Sequence, residues 1–170
     1  MSEIDFTTAL GRLLRDDALR AKFSSDPAAV ATELCVSRHD YEAFVALSAN
    51  QIERQALALL QKRYHEVRKF ARVTCNRLGT TAWSTFVVYA QSHWPTGHNR
   101  HLRDALAFCE RTVNRCGCEL NRLQFALGKR RFAFHPVKDL PINARLHPAL
   151  QILSRSRRGN ITERAIFLRF

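Results

Sequence analysis

The sequence predicts an α+β fold: a helical part of about six helices over residues 1–127, then a small antiparallel sheet over residues 128–170. Two observations carry this. Apolar residues recur at three- and four-residue intervals as far as Leu127, and from Arg131 the period drops to two. Gly and Pro then punctuate the chain at short intervals, as they do between strands.

Taken in order, Ile4 to Arg15 places Phe6, Leu10, Leu13 and Leu14 on one helical face, and Asp16–Asp17 opens a second helix over Ala18–Phe23. Asp26 is an N-cap with Pro27 at the first helical position, where no donor is needed, and that helix runs to about Leu34. Ser37, with Asp40 three residues on, caps the next, whose stripe is Tyr41, Phe44, Val45 and Leu47. A long helix is expected from about Asn50 to Leu78, closed by Gly79, and another from Thr80 to Trp94, ended by Pro95 and Gly97. His98 or Asn99 caps an amphipathic helix from Arg100 to Gly128, about seven turns long. Beyond it Arg131–His135 alternates until Pro136 stops it, and Pro141 and Pro148 break the middle. Leu150–Ser156 and Ile161–Phe170 read as two strands joined around Arg158-Gly159-Asn160. Thr162, Arg164, Ile166, Leu168 and Phe170 share one face of the last strand.

Charge is the most informative bulk property. The chain carries net +12, of which +9 lies in residues 121–170, where eleven Lys/Arg face only Asp139 and Glu163. A polyanionic or acidic partner is expected on that part. The opening residues lack the pattern of a secretory signal, and no apolar run reaches the length of a spanning helix, so the expected location is cytoplasmic, with no membrane partner. Five cysteines in helical patterns read as reduced, mostly buried thiols.

Catalytic motifs are scarce. His98, His101 and Asp104 follow each other at intervals of three, with His93 just before the turn, and two histidines with a carboxylate are an iron ligand set. Along one helix, however, those residues span about 9 Å, and ligands of one ion rarely all come from two turns of one helix. A capping histidine, an aspartate paired with Arg100 or Arg103, and a polar surface for a partner is the preferred reading. Cys116-Gly117-Cys118 has the wrong spacing for half a zinc site. There is no glycine-rich phosphate loop, nucleophile elbow or His-Glu-x-x-His. No metal ligand and no catalytic residue is assigned to this chain.

The basic C-terminal strands suit addition of an extended acidic peptide to a sheet edge, with backbone bonds for affinity and arginines for charge. They also suit single-stranded nucleic acid, with Phe132 and Phe134 stacking on bases.

Leu10-Gly11-Arg12-Leu13-Leu14-Arg15-Asp16, Leu19-Arg20-Ala21-Lys22-Phe23 and Asp26-Pro27-Ala28-Ala29-Val30 resemble the opening of a bacterial family. So do Leu59-Leu60-Gln61-Lys62-Arg63, Leu78-Gly79, Phe86, Tyr89, Trp94-Pro95-Thr96-Gly97 and Asp104-Ala105-Leu106-Ala107-Phe108. These are the small partner proteins of multinuclear non-heme iron-dependent oxidases that modify cysteines of ribosomally made peptides, as in the methanobactin and thiaglutamate pathways; the thiaglutamate type is the closer. The resemblance covers roughly residues 10–110, with the C-terminal part alike only in character. It implies a non-catalytic subunit that forms a heterodimer with the oxidase, holds the precursor's leader peptide as an added strand, and carries no cofactor, the iron residing in the oxidase. The residues expected on the peptide side are Arg130, Phe132, Phe134, Arg164, Ile166 and Leu168. Those expected on the docking side are Trp94, His98, His101, Arg103 and Asp104. The alternative is a basic nucleic-acid-binding or regulatory protein; a metalloenzyme using His98, His101 and Asp104 is a third reading.

Overall fold

The computed structural model describes residues 2–142 and 145–167. Among them are nine α-helices followed by a three-stranded antiparallel sheet, the α+β arrangement expected. The chain forms two compact units: residues 1–62 with 90–94, and residues 63–89 with 95–170. The boundary therefore does not follow the change from helix to strand at residue 127, because the sheet shares its unit with four of the later helices.

In the first unit, α1 (Phe6–Leu13), α2 (Asp17–Ser25) and α3 (Pro27–Leu34) each start on an aspartate. Asp5, Asp16 and Asp26 accept from the N–H groups of Thr8, Leu19 and Ala29 at 2.7, 3.0 and 2.9 Å, satisfying donors that the first turn leaves free. Asp40, ahead of α4 (Tyr41–Val45), is held by Ser37 Oγ and also accepts from Phe6 N–H, tying the starts of α1 and α4 together. Leu13, Phe23, Val30 and Phe44 are fully buried between these helices, with Phe23 and Phe44 edge to face at 5.4 Å. Arg20 is also buried, yet it is satisfied by the carbonyls of Leu13 and Leu14 and the carboxylates of Asp17 and Glu53.

The expected helix over Asn50–Leu78 is two: α5 (Ala49–Phe70), which continues from the first unit into the second, and α6 (Arg72–Leu78). Ala71 leaves the helical region (φ −116°, ψ 43°) because Glu119, distant in sequence, accepts from the N–H groups of Val73 (2.6 Å) and Thr74 (2.8 Å), while Arg122 donates to Phe70 O. A carboxylate takes the place of the preceding turn's carbonyls, and the helix restarts on it. Gly79 closes α6 with φ +57°, as its position in the sequence implies. A 3₁₀ turn and α7 (Ala82–Ser92) follow.

The expected seven-turn helix also divides, into α8 (Arg100–Arg111) and α9 (Gly117–Leu127). Thr112 is extended, and the hydroxyl of Thr74 accepts from Cys116 N–H at 2.9 Å. Glu119 thus serves the first interruption, and Thr74, whose backbone N–H it holds, serves the second. The apolar stripe continues through the gap, which is why periodicity alone joins the two helices.

Strands β1 (Phe132–Ile142), β2 (Arg145–Arg155) and β3 (Ile161–Phe167) form a meander in the order β1-β2-β3. The β2–β3 turn is where the sequence puts it. Gly159 takes φ +85°, and Ser156 and Asn160 close the loop through Ser156 N–H to Asn160 O. Pro136 and Pro141 do not stop β1, contrary to expectation. β1 is an edge strand, which tolerates a missing donor, and its register slips between Val137 and Leu140 opposite the Pro148 segment. Among the described residues, no helix is long and apolar enough to cross a membrane.

Candidate functional site

Alternation gives the sheet two faces. The inner one carries Ala133 and Val137 of β1 with Ala149 and Leu153 of β2, all buried, and α9 lies on it through Cys118 and Phe125. Gln151, at the centre of this face, has no exposed surface. It donates to Cys118 O (3.0 Å) and Glu163 Oε1 (2.7 Å) and accepts from Asn121 (3.0 Å), so helix, central strand and edge strand are fastened by one amide. Arg155 donates to the carbonyls of Phe125, Ala126 and Gly128 and lies over the Phe125 ring, closing the C-terminal end of α9. Arg155 is therefore committed to the fold rather than to a ligand.

The outer face holds the residues that the sequence singles out. Cross-strand pairing sets three rows across the sheet: Phe132–Ser154–Thr162, Phe134–Ile152–Arg164 and Pro136–Leu150–Ile166. Four of the six expected peptide-binding residues, Phe132, Phe134, Arg164 and Ile166, thus stand on one face. Phe132 and Phe134 are 63% and 62% exposed and Ile166 53%, so the phenylalanines are not part of the core. Arg130 is exposed in the segment before β1, at a small recess shared with Asn121, Gln124 and His135. Leu168 lies outside the described residues.

The geometry separates these residues into two groups. Neighbouring strands are about 4.8 Å apart, so β1 and β3 lie roughly 10 Å from each other across β2. A peptide on the β3 edge meets Arg164 and Ile166 but not Phe132 and Phe134; a peptide on the β1 edge does the reverse. The edges are not equivalent. β1 contains two prolines and a register slip, features that blunt an edge, whereas β3 runs through Ile161–Phe167 without Gly, Pro or a bulge.

On the expected docking side, Asp104 is corrected outright. Its side chain is 1% exposed and pairs with Arg63, not Arg100 or Arg103: Nη2–Oδ1 is 2.9 Å and Nε–Oδ2 is 3.1 Å. Tyr89 donates its hydroxyl to the same carboxylate at 2.7 Å, and burial, then that carboxylate, pushes the phenol pKa up. Asp104 is an internal anchor of the second unit and offers no surface. Arg103 and His98 are exposed, and His98 shares a shallow depression with the half-buried His101 and with Phe70. Trp94 belongs to the first unit, half-buried, with the Arg15 guanidinium 4.9 Å from its ring centre. His98, His101 and Asp104 do not converge: Asn99 takes the N-cap position in a left-handed conformation, leaving His98 outside the helix, while Asp104 turns inward. Among the described residues, no three His, Cys, Asp or Glu are placed to hold a metal ion.

The expectation of mostly buried, free thiols holds, but the sequence did not show that some of them gather near Thr74. Cys75, Cys109, Cys116 and Cys118 are all buried free thiols, and Cys109 Sγ is 3.9 Å from Thr74 Oγ1. Burial pushes Cys109 up to about 12 and Cys75 up to about 11. Cys116 moves the other way, down to about 7, chiefly through a hydrogen bond from Cys118.

The sequence matches no family model, no curated protein and no solved structure.

Proposed function

We propose that this chain is a non-catalytic partner subunit that binds a multinuclear non-heme iron-dependent oxidase. In this role it recruits the acidic leader of a ribosomally made peptide for cysteine modification. The observation that carries the reading is the unblunted edge of β3 in a segment of net +9. An extended peptide adds its backbone to such an edge, and its alternate side chains fall beside Arg164 and Ile166 on the outer face. A carboxylate opposite Arg164 gains a charge-assisted bond. Arg130 lies near the start of β1, the far strand, and plays no direct part in this arrangement. The iron and its chemistry belong to the oxidase; this chain supplies affinity and placement.

The test is hydrogen exchange on the heterodimer with and without an acidic leader peptide. Protection concentrated in residues 161–167, with affinity lowered about tenfold by Arg164→Glu, is the expected result. Protection confined to β1, or affinity unmoved by Arg164→Glu, counts against it. The exposed Phe132–Phe134 pair on a basic sheet gives the nucleic-acid reading its one specific support; that reading requires affinity that falls steeply with salt and is indifferent to peptide.

A further inference from the structure

Strand addition at β3 leaves Phe132 and Phe134 unused, and with them most of the outer face. Leu146 is 59% exposed on the same face, and Leu150 and Ile152 of the central strand are only half-buried. An antiparallel sheet with one face on the core ordinarily turns polar side chains outward. Here Phe132, Phe134, Pro136, Leu150, Ile152 and Ile166 adjoin on the outer face, with Ser154, Thr162 and Arg164 to one side, and a contiguous apolar patch of this kind marks an interaction surface.

We propose that the outer face of the sheet docks an amphipathic helix of a separate, acidic protein, lying along the strands and covering all three, opposite α9. Three features of the face select this occupant. Its width is one: three strands span roughly 10 Å, which matches one α-helix with its side chains, and the inner face already takes α9 in that way. Its chemistry is another. The two rings stand on one edge strand only, and the middle strand presents Leu150 and Ile152 with Ser154. That is a surface for aliphatic side chains and not a succession of stacking platforms for bases. Charge is the third. Arg130 and Arg131 precede β1, and the pairing of Arg131 O with Arg155 N–H puts them at the same end of the sheet as Arg157 and Arg158 of the β2–β3 turn. All four are exposed, and no Asp or Glu occurs in residues 128–138 or 150–162. A second copy of this chain would set like charges against each other; a helix with Asp or Glu over that end complements them.

The experiment uses the full chain and three probes: a synthetic amphipathic helix of about six turns with a leucine stripe and glutamates at one end, the same helix with lysines there, and oligothymidylate. Fluorescence anisotropy should show the glutamate helix binding at least about tenfold tighter than the lysine helix. Phe134→Ser and, separately, Phe132→Ser should each weaken it by about fivefold or more; both side chains are mostly exposed, so the variants keep the fold, which circular dichroism verifies. Leader-peptide protection at residues 161–167 should survive Phe132→Ser, which separates this surface from the edge site. Equal affinity for the two helices, indifference to both serine variants, or tighter binding of oligothymidylate than of the glutamate helix overturns the proposal. Loss of the 161–167 signal alone, with helix binding intact, would instead overturn the strand-addition reading.

Discussion

Replacing Asp104 with alanine should be among the most damaging single changes in the second unit. The side chain is 1% exposed, and its partner Arg63 is 9% exposed; both carboxylate oxygens are engaged by the guanidinium, and Oδ1 also receives the Tyr89 hydroxyl. The substitution deprives a buried guanidinium of its countercharge and a buried phenol of the nearer of its two acceptors, leaving it the Asp104 carbonyl at 3.1 Å. Breaking one side of such a pair costs about 3–5 kcal/mol. With a urea dependence near 2 kcal/mol per molar, the unfolding midpoint should fall by about 2 M. Trp83 reports on this unit, since it packs on Tyr64 and Phe86, so fluorescence in a Trp94→Phe background follows the right transition. The exposed Arg103, one residue away, is the control, and Arg103→Ala should stay within about 0.5 kcal/mol of the parent. Arg63→Met with Asp104→Leu should recover much of the loss, because a buried pair replaced on both sides is often neutral. An Asp104→Ala protein as stable as Arg103→Ala would refute the reasoning and return Asp104 to the candidate docking surface.

Two further outcomes follow from the same unit. Glu119→Ala removes the acceptor of two backbone donors at the start of α6, and should cost about 2–4 kcal/mol in denaturant, with faster exchange at the Val73 and Thr74 amides as the local signature. Cys116, at about 7, should be the first of the buried thiols to react with a small alkylating agent as pH rises from 6 to 8, with Cys75 and Cys109 (about 11 and about 12) labelled only on unfolding. Below 7 the Cys116 thiol holds its proton and labelling slows. Peptide mapping by mass spectrometry reads the order, and simultaneous labelling of Cys109 and Cys116 under native conditions would contradict it.

What could be read in advance divides by the distance over which it is encoded. Asp26-Pro27, Gly79 and the Arg158-Gly159-Asn160 turn act within a few residues, and each does what its chemistry dictates. The parity of β3 was equally legible, since alternation alone places Thr162, Arg164 and Ile166 together. The two helix breaks were not, because the groups responsible act from a distance: Glu119 lies 46 residues from Val73 and Thr74 lies 42 from Cys116, and each reads in sequence as an ordinary polar position in a helix. Asp104 misled for the same reason. Its nearest arginines in sequence are Arg100 and Arg103, and the one it uses is 41 residues away. Pro136 misled differently: the rule that proline ends a strand presumes an interior strand, and only topology reveals β1 as an edge.

The dependence of α6 on Glu119 has a consequence for how the chain is made. Synthesis delivers residues 49–78 well before residue 119 leaves the ribosome. Until then nothing local to Phe70–Arg72 asks for an interruption, and the stripe from Ile52 to Leu78 favours an unbroken helix. The final shape of that stretch is imposed afterwards by a carboxylate that arrives later, so for this part of the molecule maturation runs against the direction of translation.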